Sequence, residues 1–260
     1  MNVVTRLRPG LSMAAAACAL GVLLPPVGML ISKYVWAQSL QYVVLGVAVP
    51  ALLMLGAPWR LQLSSARPPG TGRADRIARA RSRRGGRYAW AYLIVFMAAA
   101  IFWRLPAVVD ALAKHQVLVL AEVVTLVPAG CGLWLELVDS PPMLPRISRP
   151  LRASFAAVAM WTIWVLAYIM AFSHRGYFAA YVHAGHGLSS AADQQIAAGI
   201  MWLIPALSFP VVVYASMLAW LRDSADPDEE LAEAAAERRG PWRFTPRPPR
   251  GWRTPPPAAG

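Results

Sequence analysis

Three of the four histidines lie within one stretch of thirteen residues, where imidazole nitrogens could bind a metal ion. They are His174, His183 and His186, and the last two are three residues apart, a spacing that can place both on one face of a helix. Imidazole is a good ligand for copper and zinc. The sequence therefore allows two interpretations, a metal site in this segment or three separately solvated histidines.

Two ionisable residues, Arg104 and Glu122, lie in or beside long apolar stretches. An uncompensated charge in hydrocarbon costs about 2.5–3.5 kcal/mol on insertion scales. We therefore expect the two side chains to pair near the same ends of adjacent helices. The alternative is that each reaches water or lipid headgroups separately. A single carboxylate provides no acid–base pair, so it predicts no catalytic centre.

No catalytic signature is found elsewhere in the sequence. There is no Gly-x-Ser-x-Gly motif, no Walker phosphate-binding loop and no His-Glu-x-x-His zinc motif. The two cysteines, Cys18 and Cys131, lie far apart in apolar runs, so we expect buried thiols. We predict that the protein is not an enzyme. A membrane enzyme built on the loop histidines and Asp193 would have no supporting motif.

The elements that must position these residues are long apolar helices. Hydrophobic residues make up 57% of the chain and charged residues 15%, whereas soluble domains carry about 25% charged residues. About 20 apolar residues are needed to span a bilayer. Six stretches approach this length: Leu11–Ile31, Trp36–Leu55, Tyr88–Trp103, Gln116–Leu137, Ala153–Phe172 and Ile196–Leu221. The sequence predicts an all-α polytopic membrane bundle over residues 1–221, with the lipid bilayer as a partner.

The first apolar stretch has two interpretations. Arg6 and Arg8 precede it, as basic residues precede the core of a cleaved signal peptide. Its apolar run of about 21 residues is longer than the 7–15 residues of a signal core. We favour a retained helix that is kinked at Pro25 and Pro26.

Basic residues are distributed unequally between the two sets of connecting segments. Segments 1–10, 58–87, 138–152 and 222–260 hold 21 arginines and lysines, and the alternate segments hold 4. Because arginine and lysine accumulate in cytoplasmic loops, both termini are predicted to be cytoplasmic, in the plasma membrane of a bacterium. The same distribution explains the net charge of +12 without nucleic-acid binding.

Residues 222–260 are predicted to form a cytoplasmic tail. Asp226 followed by proline is typical of a helix start, and Leu231–Glu237 is rich in alanine, which predicts a short helix. The segment Pro241–Gly260 is rich in proline and arginine and is predicted to be disordered.

Four motifs carry a resemblance to a known family. They are Asp193-Gln194-Gln195 followed by Gly199-x-Met201-Trp202, Leu55-Gly56-Ala57-Pro58, Trp103-Arg104-Leu105-Pro106, and Glu122 within residues 119–123. Together they make the sequence similar to the CtaG family of cytochrome c oxidase assembly factors over most of residues 36–221. The resemblance implies copper handling during oxidase assembly, on the non-cytoplasmic side of the membrane.

The positions that the family gives to histidines hold other residues here. These positions are Gln38, Tyr42, Arg104, Val119 and Val123. The neighbouring polar residues of the family's motifs are kept as Gln41 and Glu122. Since copper prefers imidazole or sulfur donors, we do not expect direct copper binding at these positions. Copper stays a possible cofactor only through the loop histidines.

The resemblance implies a membrane-embedded assembly factor that binds an oxidase subunit or an assembly intermediate. The predicted recognition surface consists of Asp193, Gln194, Gln195, Met201 and Trp202. The alternative is a small transporter or channel, in which an ionisable group inside the membrane would serve the transported substrate. Only Glu122 suggests such a role.

Overall fold

A computed structural model describes residues 3–59, 73–83, 85–173, 176–182 and 187–238. Over these ranges the chain is helical and contains no strand, so the predicted all-α class is confirmed. In chain order the helices are α1 (Val3–Leu23), α2 (Val27–Leu30), α3 (Val35–Val43), α4 (Val49–Gly56), α5 (Arg73–Arg83), α6 (Arg87–Phe102), α7 (Pro106–Lys114), α8 (Val117–Leu137), α9 (Arg149–Ala171) and α10 (Ser190–Arg238).

Five helical segments are long and apolar enough to cross a membrane. They are Arg8–Leu30, Val35–Gly56, Val117–Leu137, Arg149–Ala171 and Ser190–Arg222. A sixth is reached if α5 and α6, which meet at 101°, form one broken span. The predicted six spans are therefore matched by five or six, and the protein is a multi-pass membrane protein.

A π-helical turn at Val44–Ala48 joins α3 to α4 within one span. Pro50 has no N–H to donate to the carbonyl of Gly46, and its ring would clash with that carbonyl in a regular helix. The π turn relieves this conflict through a wider bond from the Val49 N–H to the Val44 carbonyl.

The same turn brings α8 close to the α3–α4 span. A Cβ atom added to Gly130 would lie 2.5 Å from the Gly46 carbonyl oxygen and 2.6 Å from Cγ of Pro50. Only glycine fits at this contact, which holds α8 beside the residues of α3 that face it.

Two elements differ from the sequence prediction. The nine-residue helix α7, with Pro106 in its first turn, lies in a connecting segment for which no helix was predicted; it buries Val109 and Leu112. The helix α10 ends at Arg238 and so includes Asp226, where the sequence indicated the start of a separate short helix. The predicted disordered segment Pro241–Gly260 lies outside the described residues.

Candidate functional site

Polar side chains are buried together where α3 and α8 meet the turn after α6. We call Gln38, Ser39, Tyr42, Arg104 and Glu122 the Arg104 cluster. Each is at most 4% exposed. Gln38 and Tyr42 are one helical turn apart and therefore lie on the same side of α3. The cluster contains several of the positions that the sequence resemblance singled out.

Arg104 makes most of the contacts within the cluster. Its Nη1 donates to Oε1 of Gln38 at 2.6 Å, and its Nη2 donates to Oγ of Ser39 at 2.5 Å. Its guanidinium carbon lies 4.5 Å from the centre of the Tyr42 ring, within cation–π distance. Charge-assisted hydrogen bonds and the aromatic ring together compensate for burying the arginine.

The expected direct pair between Arg104 and Glu122 is not formed. In the part of the chain that the structure describes, no ion pair joins the two side chains. Instead, Gln38 lies between them: its Oε1 accepts from Arg104, and its Nε2 donates to Oε1 of Glu122 at 3.5 Å. An amide can do this because it carries an acceptor and a donor on the same group.

Several buried polar atoms at this site have no hydrogen-bond partner among the described residues. They are Oε2 of Glu122, Nε of Arg104, and both side-chain polar atoms of the neighbouring Gln41. Burying such groups without a partner costs several kcal/mol each in an apolar medium. The hydrogen bonding of the cluster is therefore incomplete among the described residues.

The cluster does not fit a copper ion. The described residues contain no group of three histidine, cysteine, aspartate or glutamate side chains that could hold a metal. The cationic guanidinium of Arg104 occupies the position given to a histidine, and repels a second cation. The other candidate ligands, His174, His183 and His186, lie outside the described residues.

Asp193 and Gln194 act as caps for other elements. The Asp193 carboxylate accepts from the backbone N–H groups of Val35, at 2.8 Å, and Trp36, at 3.0 Å, and so caps α3. Gln194 accepts from the N–H of Tyr177 at 2.8 Å and donates to the carbonyl of Met170 at 2.7 Å. Both residues fix the ends of neighbouring helices and loops.

The residues predicted as one recognition surface are divided between two faces of α10. Asp193, Gln194 and Met201 are at most 1% exposed, whereas Gln195 is exposed and Trp202 is 42% exposed. Helical spacing explains the division, since residues 194 and 201 are two turns apart and face inward together. Gln195 and Trp202 remain on the surface.

Gln195 and Trp202 line an open groove of about 380 Å³ between α9 and α10. The rest of its lining consists of Ala167, Tyr168, Ala171, Ala198 and Gly199. We call it the Gln195 groove. Within the described residues it is the place where two of the predicted recognition residues are accessible together.

The loop before α10 is fixed by the side chains of Asp110 and Tyr181, of which Asp110 was not identified from the sequence. The Asp110 carboxylate accepts from the N–H groups of Ala179, at 3.2 Å, and Ala180, at 2.9 Å. The Tyr181 hydroxyl donates to the carbonyl of Ile31 at 2.8 Å. Burial raises the pKa of Tyr181, so its hydroxyl stays protonated. Asp110 was visible in the sequence as a carboxylate between two predicted spans. Its partner Ala179 lies 69 residues later in the chain, so the contact could not be predicted from local spacing.

A second buried ionic group, also not identified from the sequence, lies at the other end of α8. We call Arg81, Glu136 and Arg146 the Glu136 cluster. Oε1 of Glu136 accepts from Nη2 of Arg81 at 2.6 Å and from Nε of Arg146 at 2.9 Å. The backbone N–H of Arg146 donates to Oε2 of Glu136 at 3.0 Å. Arg81 is 55 residues and Arg146 is 10 residues from Glu136 in the chain, so no local spacing indicated this group.

These features define a multi-pass helical membrane protein with a buried polar cluster at one end of the bundle and an accessible groove between two helices. The model of the cytochrome c oxidase caa3 assembly factor family matches residues 4–223. The chain belongs to this family, which confirms the resemblance seen in the sequence motifs. Comparison with curated proteins and with solved structures found no match.

Proposed function

We propose that this protein assists the assembly of cytochrome c oxidase by binding an oxidase subunit or an assembly intermediate within the membrane, without catalysing a reaction. The family match over residues 4–223 carries the oxidase part of the proposal. The Gln195 groove supports the binding part. We further propose that the membrane is the bacterial plasma membrane, with both termini in the cytoplasm, as the arginine distribution predicts.

The polar side chain in the groove favours a helix as the bound element. Gln195 is exposed within the apolar span Ser190–Arg222. Gln195 lies near the end of this segment, and a glutamine on a helix surface gains about 1 kcal/mol by hydrogen bonding to another helix in a membrane. A transmembrane helix of an oxidase subunit would supply such a partner.

The walls of the groove also favour close helix packing. Ala167, Ala171, Ala198 and Gly199 are small residues, and small residues let two helix backbones approach each other in a membrane. Trp202 borders the groove and stacks on Trp164 with 4.8 Å between ring centres. Trp164 also donates from Nε1 to the Trp202 carbonyl at 3.1 Å, and this bond helps to fix Trp202 at the edge of the groove.

In this proposal copper is cargo of oxidase assembly, and the Arg104 cluster does not bind it. The guanidinium of Arg104 excludes the usual arrangement of metal ligands there. The candidate ligands His174, His183 and His186 stay a prediction, which metal analysis of the purified protein would test. The control is a variant in which all three histidines are replaced by alanine. If the native protein carries no more copper than this variant, the protein does not bind copper through these histidines.

A variant that fills the groove tests the proposal. A Cβ atom added to Gly199 meets no atom within 4 Å, so Gly199→Leu should fill the groove without disturbing the bundle. We expect this variant to fail to restore haem–copper oxidase activity in a strain that lacks the gene. Gly21→Leu is the matched control, because a Cβ atom there also meets open space but lies on α1.

The assay is run with and without added copper, and the amount of protein in the membrane is measured for each variant. Full oxidase activity with Gly199→Leu at normal protein levels would contradict the proposed groove. Normal oxidase activity in the deletion strain at both copper concentrations would contradict an assembly role altogether and favour the transporter alternative.

A further inference from the structure

A pocket lies beside the Glu136 cluster, where α5 ends and α6 begins. It has a volume of about 400 Å³, within the range of small-molecule sites. It is lined by α5, by Gly85 and Gly86 between the two helices, and by residues 142–146 of the loop before α9. None of these described lining residues is acidic. We call it the Arg81 pocket.

The Glu136 cluster beside the pocket carries one more positive charge than negative. The guanidinium groups of Arg81 and Arg146 share the single carboxylate of Glu136. All three side chains are at most 8% exposed, and both arginines line the pocket. Burying an uncompensated charge is unfavourable. An anion in the pocket would balance the surplus charge of the cluster.

Arg81 also has hydrogen-bond donors that the cluster does not use. Its Nη2 donates to the Leu135 carbonyl at 2.9 Å and to Glu136, whereas its Nε and Nη1 have no partner among the described residues. A guanidinium group is planar and suits the oxygen atoms of a phosphate. Arg79 lines the pocket too but takes part in another interaction, so the surplus charge is that of the Glu136 cluster.

The start of α6 supplies a second, independent preference for an anion. This sixteen-residue helix begins directly after Gly86, which lines the pocket, and its first turn contains no acidic residue. Gly86 has no side chain with which to cap the first N–H groups. These groups carry a partial positive charge and commonly bind phosphate at helix N-termini.

We propose that the Arg81 pocket binds a phosphate group, held by Arg81 and by the first N–H groups of α6. The group could belong to a phospholipid headgroup or to a free phosphate ion, since both present the same oxygen atoms. Tyr88 and Trp90, at the start of α6, are exposed, and such aromatic side chains lie at the membrane surface, where headgroups are found. This site is independent of the Gln195 groove, so either proposal can fail without the other.

Two binding measurements on the full-length protein in detergent separate the sources of phosphate. Equilibrium dialysis measures the binding of inorganic phosphate. Native mass spectrometry measures the binding of phosphatidylglycerol against phosphatidylcholine with the same acyl chains. Saturable binding of inorganic phosphate would identify the free ion as a sufficient ligand, and a preference for phosphatidylglycerol without phosphate binding would identify a lipid headgroup. The absence of both would overturn the proposal.

A matched pair of variants at Gly86 tests where the ligand binds. A Cβ atom added to Gly86 lies 3.5 Å from the Arg146 carbonyl oxygen and no closer to any other atom, so a short side chain fits. The carboxylate of Gly86→Asp would balance the charge of the cluster and cap α6, and should weaken binding about tenfold. Gly86→Asn has the same shape without the charge and should keep most of the binding. Equal losses in the two variants would contradict the charge requirement.

Replacing the arginine tests the other half of the site. Arg81→Gln removes the surplus charge and should weaken binding about tenfold. Arg83→Gln is the control, at an exposed arginine of α5 that does not line the pocket, and should leave binding unchanged. Because Arg81→Gln also loses a bond to Glu136, its unfolding is measured alongside, whereas the Gly86 variants keep that bond. Binding that neither Arg81→Gln nor Gly86→Asp weakens would overturn the proposal.

Discussion

The Arg104 cluster and the Glu136 cluster bury similar charges at opposite ends of α8. Glu122 and Glu136 are separated by fourteen residues of this helix, or about 21 Å. Both carboxylates are 0% exposed, and each has an arginine nearby. The two clusters nevertheless differ in how completely the carboxylate is hydrogen-bonded.

In the Glu136 cluster the carboxylate has direct partners on both oxygen atoms. Arg81 comes from α5, and Arg146 comes from the loop that precedes α9, so one carboxylate joins three parts of the chain. A short turn beside it is held by Trp59, whose Nε1 donates to the Pro141 carbonyl at 2.8 Å. This arrangement is suited to holding the end of the bundle in one geometry.

In the Arg104 cluster the carboxylate has one long contact, at 3.5 Å, from a neutral amide. Its second oxygen has no partner among the described residues, and neither do the polar atoms of Gln41. The difference teaches that buried charge alone does not identify a functional site. The two clusters differ in the state of the carboxylate, since the atoms without a partner in the Glu136 cluster are Nε and Nη1 of Arg81.

Neutralising Glu136 should have the largest effect on stability. Glu136→Gln leaves two buried arginines without their anion, and breaking a buried pair in this way costs about 3–5 kcal/mol. We expect a loss of that size in the free energy of unfolding, measured by titrating the purified protein with a denaturing detergent. Asp139→Asn is the control, since this carboxylate is 65% exposed and its pair with Arg152 contributes under about 1 kcal/mol. Equal losses in the two variants would contradict the structural role of Glu136.

Removing the arginine of the other cluster should have the next largest effect. Arg104→Gln loses two charge-assisted hydrogen bonds and the contact with the Tyr42 ring. We expect a loss of about 2–3 kcal/mol in the same unfolding assay. Arg87→Gln, at an exposed arginine on α6, should change stability by less than about 0.5 kcal/mol. If Arg104→Gln leaves the free energy of unfolding unchanged, the remaining side chains of the cluster must form new hydrogen bonds that replace those of the arginine.

Much of the fold was predictable because the length of an apolar segment is a local property of a sequence. The hydrogen bonds of the site were less predictable because they depend on distant residues. Asp193 was singled out through the resemblance, yet its role as a cap depends on Val35, 158 residues earlier. The placing of Gln38 between Arg104 and Glu122 required the relative rotation of α3 and α8, which no spacing in the sequence specifies.

Other features were visible in the sequence but not recognised. Pro50 is present in the second predicted span, and its missing N–H explains the π turn. Glu136 was placed near the end of a span, where a paired carboxylate and a solvated one look the same in sequence. The division of the recognition residues between two faces of α10 follows from helical periodicity alone and could have been predicted.

The coupling between arginine and carboxylate should differ between the two clusters. A double-mutant cycle of Arg104→Gln and Glu122→Gln should give a coupling energy of about 0.5–1 kcal/mol, because Gln38 lies between the charges. The cycle of Arg146→Gln and Glu136→Gln should give about 3 kcal/mol, because those groups touch. A coupling above about 2 kcal/mol for the first pair would show that Arg104 and Glu122 make direct contact in the membrane.

The smallest expected effect concerns Tyr181, which is held close to the Arg104 cluster by its bond to Ile31. Tyr181→Phe removes one buried hydrogen bond and should lower the free energy of unfolding by about 1 kcal/mol at neutral pH. Burial raises the pKa of Tyr181 in the folded state, so its contribution is present below the unfolded value of about 10 and is lost as the pH rises through the folded value. Unfolding titrations between pH 8 and pH 11 should therefore show a loss of stability in the native chain that is smaller in Tyr181→Phe. Tyr177→Phe, at a half-exposed tyrosine in the same loop, serves as the control. If both variants keep the same alkaline dependence as the native chain, the Tyr181 hydroxyl is not the group that titrates.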